Sequence, residues 1–157
     1  MQKMMKRILA FILTACVLFA GCGTDTSAGS AASASAEDVF TSLSENLPAY
    51  DTQDITIVAK LLGIDADSIV SGASAFAKDG GPEMLIVLET TDEDAALKTG
   101  ERMNYYLTTL QSSASQYAPE QLDLLKEGYV YTAGKYAVMY VGEQTDAVKK
   151  ELAKLLH

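Results

Sequence analysis

The spacing of apolar residues changes along the chain between the step of three or four typical of a helix and the continuous runs typical of a buried strand. Residues 84–88, Met-Leu-Ile-Val-Leu, form an unbroken apolar run after the turn signal Asp-Gly-Gly-Pro at 79–82. Because this run is apolar on both faces, it predicts a central strand. Apolar residues then recur at steps of four and three from Ala96 to Tyr117, which predicts the longest helix, with Thr91 as its expected cap.

Weaker patterns of the same kinds predict the remaining elements. Further helices are expected at 37–47, 54–62, 120–127 and from a cap at Thr145 onward, and further strands at 68–77 and in the two halves of 129–141. Gly134-Lys135 separates those two halves and is a good hairpin signal. The order ααββα(α)ββα therefore predicts an α+β fold, an antiparallel sheet of about four strands with helices packed mainly on one face.

The first residues of the chain have the pattern of an export signal. Lys3, Lys6 and Arg7 precede an apolar stretch at 8–18, which is too short to span a bilayer of roughly 20 helical residues. The stretch ends in Leu-Phe-Ala-Gly-Cys at 18–22, which resembles the lipobox of bacterial lipoproteins. The resemblance implies cleavage before Cys22 and fatty-acyl chains such as palmitate on its sulfur. An uncleaved anchor or an ordinary secretory signal cut elsewhere are the alternatives.

Three segments follow from this pattern. Residues 1–21 are interpreted as a signal peptide, and 22–36 as the lipidated cysteine with a flexible tether rich in Ser, Ala and Gly. Residues 37–157 are interpreted as a single α+β domain. The expected location is the extracytoplasmic face of the cell membrane, to which the lipid on Cys22 holds the protein.

The charge of the chain and the residue types that it lacks limit the range of possible functions. Three of the 12 Lys and Arg residues lie in the leader, which leaves 9 against 21 Asp and Glu and a net charge of −12. Such a domain is unsuited to bind nucleic acid. The only histidine is His157, and the cysteines are Cys16 and Cys22, so the folded domain lacks the residues of Ser-His, Cys-His and zinc sites. The sequence therefore predicts no cofactor, no metal and no enzymatic activity.

The hairpin carries the most distinctive candidate site. If Gly134-Lys135 is a two-residue loop, alternation places four tyrosines on one face of the hairpin. They are Tyr129, Tyr131, Tyr136 and Tyr140. Tyrosine offers apolar area with a polar end, which suits interfaces, so this face is a candidate binding face. The alternative is that a short helix, 37–47 or 120–127, covers it.

Other candidate functional residues have simpler structural interpretations. The acidic pair in Asp65-Ala-Asp67 resembles the start of a calcium loop, but Ile69 stands where a third oxygen ligand belongs, and a turn before a strand is the alternative. Glu89 or Asp92 could serve a hydrolase of cell-wall polymers that works through carboxylates. Tyr105 and Tyr106 on the long helix are interpreted as packing residues.

Several short segments together resemble a known family. They are Leu-Gly-Ile-Asp at 62–65, the apolar strand at 84–88, Gln-Tyr-Ala-Pro-Glu-Gln at 116–121 and Ala-Gly-Lys-Tyr at 133–136. In this order they resemble a family of short bacterial, mainly Gram-positive, lipoproteins classed as a domain of unknown function. The resemblance supports the location and the single domain, and it implies no activity.

The function expected from these observations is non-catalytic. The chain is interpreted as an extracytoplasmic lipoprotein with a binding or accessory role at the cell envelope, where its partner is a membrane protein or a cell-wall component. The alternatives are a cell-wall polymer hydrolase that uses carboxylates and a small-molecule receptor.

Overall fold

A five-stranded antiparallel sheet forms the middle of the fold in the computed structural model, which describes residues 34–156. The predicted signal peptide, Cys22, most of the predicted tether and His157 lie outside the described residues. The strands are β1 (Tyr50–Asp51), β2 (Ile69–Ala77), β3 (Met84–Thr90), β4 (Tyr129–Ala133) and β5 (Tyr136–Val141). Their spatial order is β1-β2-β3-β5-β4. The run at 84–88 lies in the central strand β3 and is fully buried, as its unbroken apolar pattern predicts.

Five α-helices flank the sheet. They are α1 (Ala36–Ser44), α2 (Ile55–Leu62), α3 (Glu93–Tyr117), α4 (Leu122–Lys126) and α5 (Thr145–Leu155). The α+β class and the element order agree with the prediction, and β1 is the additional short strand. Two predicted caps differ by one residue. Asp92, rather than Thr91, caps α3 by accepting a hydrogen bond from the Ala95 N–H. Thr145 is the first residue of α5, and its hydroxyl donates to the Gly142 and Glu127 carbonyls.

The helices cover both faces of the sheet, which corrects the expectation that they pack mainly on one. On one face, α1 and α5 pack against alternate residues of β3 and β5, such as Leu85 and Val138. On the other face, α2, α3 and α4 pack against the intervening residues, such as Ile86 and Met139. The reason is in the strands themselves, because successive side chains of β3 and β5 point to opposite faces and nearly all are apolar.

The hairpin of β4 and β5 has the predicted register. Tyr129 lies opposite Tyr140 and Tyr131 lies opposite Val138, with Gly134 and Lys135 as the connecting residues. The face that carries Val130, Ala137, Met139 and Val141 belongs to the cluster beneath the long helix α3, as expected. This register also determines which way the tyrosines point.

A close approach of α3 to the sheet at Gly100 provides a test of this packing. Gly100 is buried in α3, and a β-carbon there would meet the Cγ2 methyl of Thr132 on β4. We expect Gly100→Ala to lower stability, although alanine alone favours a helix over glycine by about 0.8–1.0 kcal/mol. In a Thr132→Ala background, the same change should become stabilising because the methyl is gone. Urea unfolding of the four proteins measures both effects, and stabilisation in both backgrounds would contradict the close approach.

Candidate functional site

The tyrosine face of the hairpin is not an open surface. Tyr140 and Tyr136 are buried, and Tyr129 and Tyr131 are half-buried in the same cluster. The cover comes from α1, within one of the two segments considered above, and from α5, which was not considered. The candidate binding face predicted from the sequence is therefore an interior surface, because β5 needs cover on both of its faces.

The polar ends of these tyrosines bind the protein itself. The Tyr140 hydroxyl donates to the Asn46 carbonyl at 3.1 Å and accepts from the Gln144 N–H at 3.3 Å. The Tyr131 hydroxyl donates to the Leu156 carbonyl at 3.4 Å. The Tyr129 ring stacks near Tyr131 and lies 4.9 Å from the Lys149 ammonium. These contacts fasten the segments around α1 and α5 to the sheet.

A polar depression of about 490 Å³ lies between the start of α3 and the end of α2. Its charged lining consists of Lys98, Arg102, Asp65, Asp92 and Asp94. Two of the carboxylates have local structural roles. Asp65 accepts a hydrogen bond from the Asp67 N–H at 3.1 Å, and Asp92 accepts one from the Ala95 N–H at 2.8 Å. Both therefore act as caps of the helical turns that follow them.

The two carboxylates considered for a hydrolase, Glu89 and Asp92, each accept a hydrogen bond within the protein. The hydrogen bond from the Ala95 N–H holds the pKa of Asp92 below its ordinary value, with a smaller contribution from the Thr91 hydroxyl. A general acid needs a raised pKa instead. Glu89 accepts a hydrogen bond from the Ser71 hydroxyl on the neighbouring strand and does not line the depression.

Acidification should weaken the cap at Asp92. Because the pKa of Asp92 is lower in the folded state than its ordinary 3.8, the cap contributes stability above that pH and loses it as the pH falls through the folded value. We expect Asp92→Asn, which keeps an acceptor at the cap, to show a weaker loss of unfolding free energy below about pH 4 than the unmodified protein. Urea unfolding from pH 7 to 2.5 measures the difference. Parallel curves for the two proteins would contradict this role.

An apolar groove lies on the sheet face covered by α2 and α3, where the two helices leave Phe76 of β2 partly exposed. It consists of two adjoining cavities, of about 290 and 350 Å³, that share Phe76 and Tyr106 in their linings. We call this surface the α2–α3 groove and define it by Ile57, Leu61, Phe76, Tyr106, Leu110 and Tyr117. Among the described residues, no Asp or Glu lines either cavity.

Tyr106 is at the junction of the two cavities. It is half-buried, and desolvation raises the pKa of its phenol above the ordinary value. Within residues 34–156 its hydroxyl makes no hydrogen bond to the protein, unlike the hydroxyls of Tyr131 and Tyr140. A ligand that entered the groove would therefore meet the Tyr106 hydroxyl in a mainly apolar lining, whose other polar side chains are Gln53, Ser113 and Gln121. A few polar groups in an apolar lining are a common feature of binding sites.

The charged residues nearest the groove lie outside its lining. The Arg102 guanidinium, which lines the polar depression, donates to the Leu62 carbonyl at 3.1 Å and lies 5.5 Å from the centre of the Tyr105 ring. Gly81 and Pro82 of the β2–β3 turn line the larger cavity. Asp79 and Glu83 of this turn lie against Gly81, but neither carboxylate lines the cavity.

Sequence reasoning missed this groove, although α2 contained a signal. Ile55, Val58 and Leu62 form its buried side, yet Ile57 and Leu61 make the opposite side apolar as well. A helix that is apolar nearly all round needs cover on more than one side. Tyr106, interpreted as a packing residue, lines both cavities, whereas Tyr105 is mostly exposed beside Arg102.

Two other kinds of feature are absent from the described residues. Between residues 34 and 156, no helix has both the length and the apolar character needed to cross a membrane. In the same part of the chain, no three His, Cys, Asp or Glu side chains are grouped so that they could hold a metal ion. Of the two residues considered above for calcium, Asp65 caps a short 3₁₀ turn and Asp67 lies within it.

Comparison with known proteins identifies the family. Residues 42–142, more than half of the chain, match the family described as Domain of unknown function (DUF4358), and the chain belongs to this family. The expected membership of a family of unknown function is thus confirmed. No curated protein and no solved structure matches the chain. The matched range includes every residue that defines the α2–α3 groove and ends before α5.

Proposed function

We propose that this member of the DUF4358 family is a non-catalytic extracytoplasmic lipoprotein that docks a partner of the cell envelope in its α2–α3 groove. The location is supported by the lipobox-like pattern at 18–22, with Cys22 as the lipidated residue. The binding or accessory role is supported by the groove. Cys22 lies outside the described residues, so its lipidation is a prediction from the sequence.

The observation that carries the proposal is the exposure of large apolar side chains along the groove. Ile57 is 54% exposed, Leu61 44% and Tyr117 84%, and all three line its cavities. Contiguous exposed apolar area is unusual on a monomeric protein and is a common mark of an interaction site. Burial of these side chains by a partner would contribute about 25 cal/mol of favourable free energy per Å² of apolar area removed from water.

A small-molecule receptor is the second candidate, and the size of the groove favours it. The cavities of about 290 and 350 Å³ adjoin, and their sum falls within the usual range of ligand sites. The unpaired Tyr106 hydroxyl would orient such a ligand. A ligand of this size would compete with a docked protein for the groove, so one experiment addresses both candidates.

Photo-crosslinking in the native membrane tests the proposal. The full-length lipidated protein carries a benzophenone amino acid in place of Tyr117, or in place of Leu97 as a matched control. Leu97 is a 50% exposed side chain of the same helix outside the groove. We expect one protein adduct at position 117 and none at 97. In the protein that carries the benzophenone at position 117, Leu61→Asp should strongly reduce the yield of the adduct. Val70→Asp, at an exposed position of β2, should leave that yield unchanged.

Two results would count against the proposal. Equal adducts at positions 117 and 97 would indicate nonspecific contact, and no protein adduct at 117 would remove the docking role. A small adduct mass at 117, without a protein, would favour the receptor. The location is tested in the same cells with Cys22→Ala, which should release the protein from the membrane fraction if Cys22 carries the anchor.

A further inference from the structure

The polar depression between the end of α2 and the start of α3 has charges of both signs that do not pair with one another. Its carboxylates are those of Asp65, Asp92 and Asp94, and its cations are Lys98 and Arg102. The ion pairs formed within residues 34–156 involve other side chains. Oppositely charged groups that line one cavity without pairing are available to a ligand that carries both signs.

Arg102 is held in place by contacts with both helices. Its Nε–H donates to the Leu62 carbonyl at 3.1 Å, and its Cζ lies 5.5 Å from the centre of the Tyr105 ring. One terminal nitrogen lies against Gly63, in the space that a β-carbon there would need. Among the described residues, the terminal N–H groups of Arg102 have no hydrogen-bond acceptor. A guanidinium fixed in this way is preorganised for a carboxylate, because it loses little side-chain entropy on binding.

Asp65 and Asp92 are held by the helical turns that they cap. Asp65 Oδ1 accepts a hydrogen bond from the Asp67 N–H at 3.1 Å, and Asp92 Oδ1 accepts one from the Ala95 N–H at 2.8 Å. Asp92 Oδ2 also accepts from the Thr91 hydroxyl, whereas Asp65 Oδ2 accepts no hydrogen bond from the described part of the chain. Asp65 therefore keeps one oxygen for a ligand.

Asp94 and Lys98 lie one turn apart on α3, yet they form no ion pair within residues 34–156. An acidic residue four positions before a lysine favours such a pair on a helix surface. The helices α4 and α5 contain acid-first pairs at a spacing of three, for example Asp123 with Lys126 at 3.4 Å. Because Asp94 and Lys98 both line the depression, each can contact a ligand there.

We infer that the polar depression binds a small zwitterion of the amino-acid type, with a carboxylate and an ammonium group. Its carboxylate lies against Lys98 and Arg102. Its ammonium group lies against Asp65 and Asp94. The volume of about 490 Å³ is within the roughly 300–1,000 Å³ typical of ligand sites. The depression shares no lining residue with the α2–α3 groove, so this site is independent of the docking proposed there.

The same charges argue against ligands of a single sign. An anion without an ammonium group would meet three carboxylates as well as the two cations of the depression. A cation without a carboxylate would meet the guanidinium of Arg102, which its contacts with Leu62 and Tyr105 keep in place. A ligand with both groups has a favourable partner for each of its charges.

Isothermal titration calorimetry of the full-length lipidated protein in nonionic micelles tests the site. The probes are the standard free amino acids and glycylglycine, each at millimolar concentration. For a probe that binds, its N-acetylated form lacks the ammonium group, and its C-terminal amide lacks the carboxylate. We expect each of these two analogues to bind about fivefold to twentyfold more weakly than the zwitterion, because each loses the contacts of one charged group with two side chains.

Substitutions in the depression should depend on which group the probe has lost. Lys98→Gln should weaken the zwitterion about two- to fivefold and should not weaken the amide, which has no carboxylate to lose. Asp94→Asn should weaken the zwitterion by a similar factor and should not weaken the N-acetylated form. The matched controls are Lys150→Gln and Glu101→Gln, which remove exposed charges outside the depression and should leave every affinity unchanged.

Three results would overturn the zwitterion site. They are no heat of binding with any probe, equal affinities for a zwitterion and its two analogues, and a zwitterion affinity that neither Lys98→Gln nor Asp94→Asn changes. None of them affects the docking proposal, because the adduct at position 117 is measured separately. We expect both substitutions to leave the yield of that adduct unchanged.

Discussion

Leu85→Ala and Ile86→Ala, made one at a time, should each lower the free energy of unfolding by about 2–5 kcal/mol. The two residues are neighbours on β3, and both are completely buried. Leu85 contacts the cluster under α1 and α5, whereas Ile86 contacts the cluster under α2 and α3. A sheet with helices on one face would leave one of them near solvent, and the corresponding substitution would then be mild. Two large effects are therefore expected only when both faces are covered.

Urea unfolding with the linear extrapolation gives both free energies, and Val70→Ala serves as the control. Val70 is 60% exposed on β2, so its truncation should change stability by less than about 0.5 kcal/mol. The expected losses are a large part of the roughly 5–15 kcal/mol that stabilises a typical domain. A small effect for either Leu85 or Ile86 would contradict the arrangement in which helices cover both faces.

The elements of this fold could be predicted from the sequence because each has its own local signal. The run at 84–88 predicted the central strand, and Gly134-Lys135 predicted the hairpin and its register. The helix predicted at 54–62 corresponds to α2, which ends at Leu62 before Gly63 with its positive φ of 66°. The position of α5 could not be predicted in this way. Its apolar side indicates that α5 packs against another part of the fold. No local sequence pattern indicates which face of the sheet it covers.

The α2–α3 groove could not be predicted for a related reason. Its lining comes from α2, the β2–β3 turn and α3, which are separated along the chain and meet only through the order of the strands. The apolar Ile57 and Leu61 on α2 gave a partial signal that a second side of this helix is covered. The alternating tyrosines of the hairpin did not distinguish an open face from a buried one. A row of tyrosines is compatible with both when each hydroxyl has a backbone hydrogen-bond partner.

Tyr140→Ala should destabilise the protein by about 3–5 kcal/mol, as is typical when a large buried ring is removed. Tyr140 is completely inaccessible to solvent, and its ring packs in the cluster under α1 and α5. Tyr140→Phe keeps the ring but leaves the Gln144 N–H and the Asn46 carbonyl without their shared partner, so a smaller loss of about 1–3 kcal/mol is expected. Urea unfolding separates the contribution of the ring from that of the hydroxyl.

The matched control for Tyr140 is Tyr117→Ala, which truncates a tyrosine that is 84% exposed in the groove. We expect it to change stability by less than about 0.5 kcal/mol while it weakens crosslinking of the groove partner. The reverse pattern, a stable Tyr140→Ala protein with lost partner capture, would return the binding role to the hairpin. Tyr140 thus holds α1 and α5 on the sheet, whereas Tyr117 is exposed in the groove proposed for docking. The difference between the two depends on burial rather than on residue type.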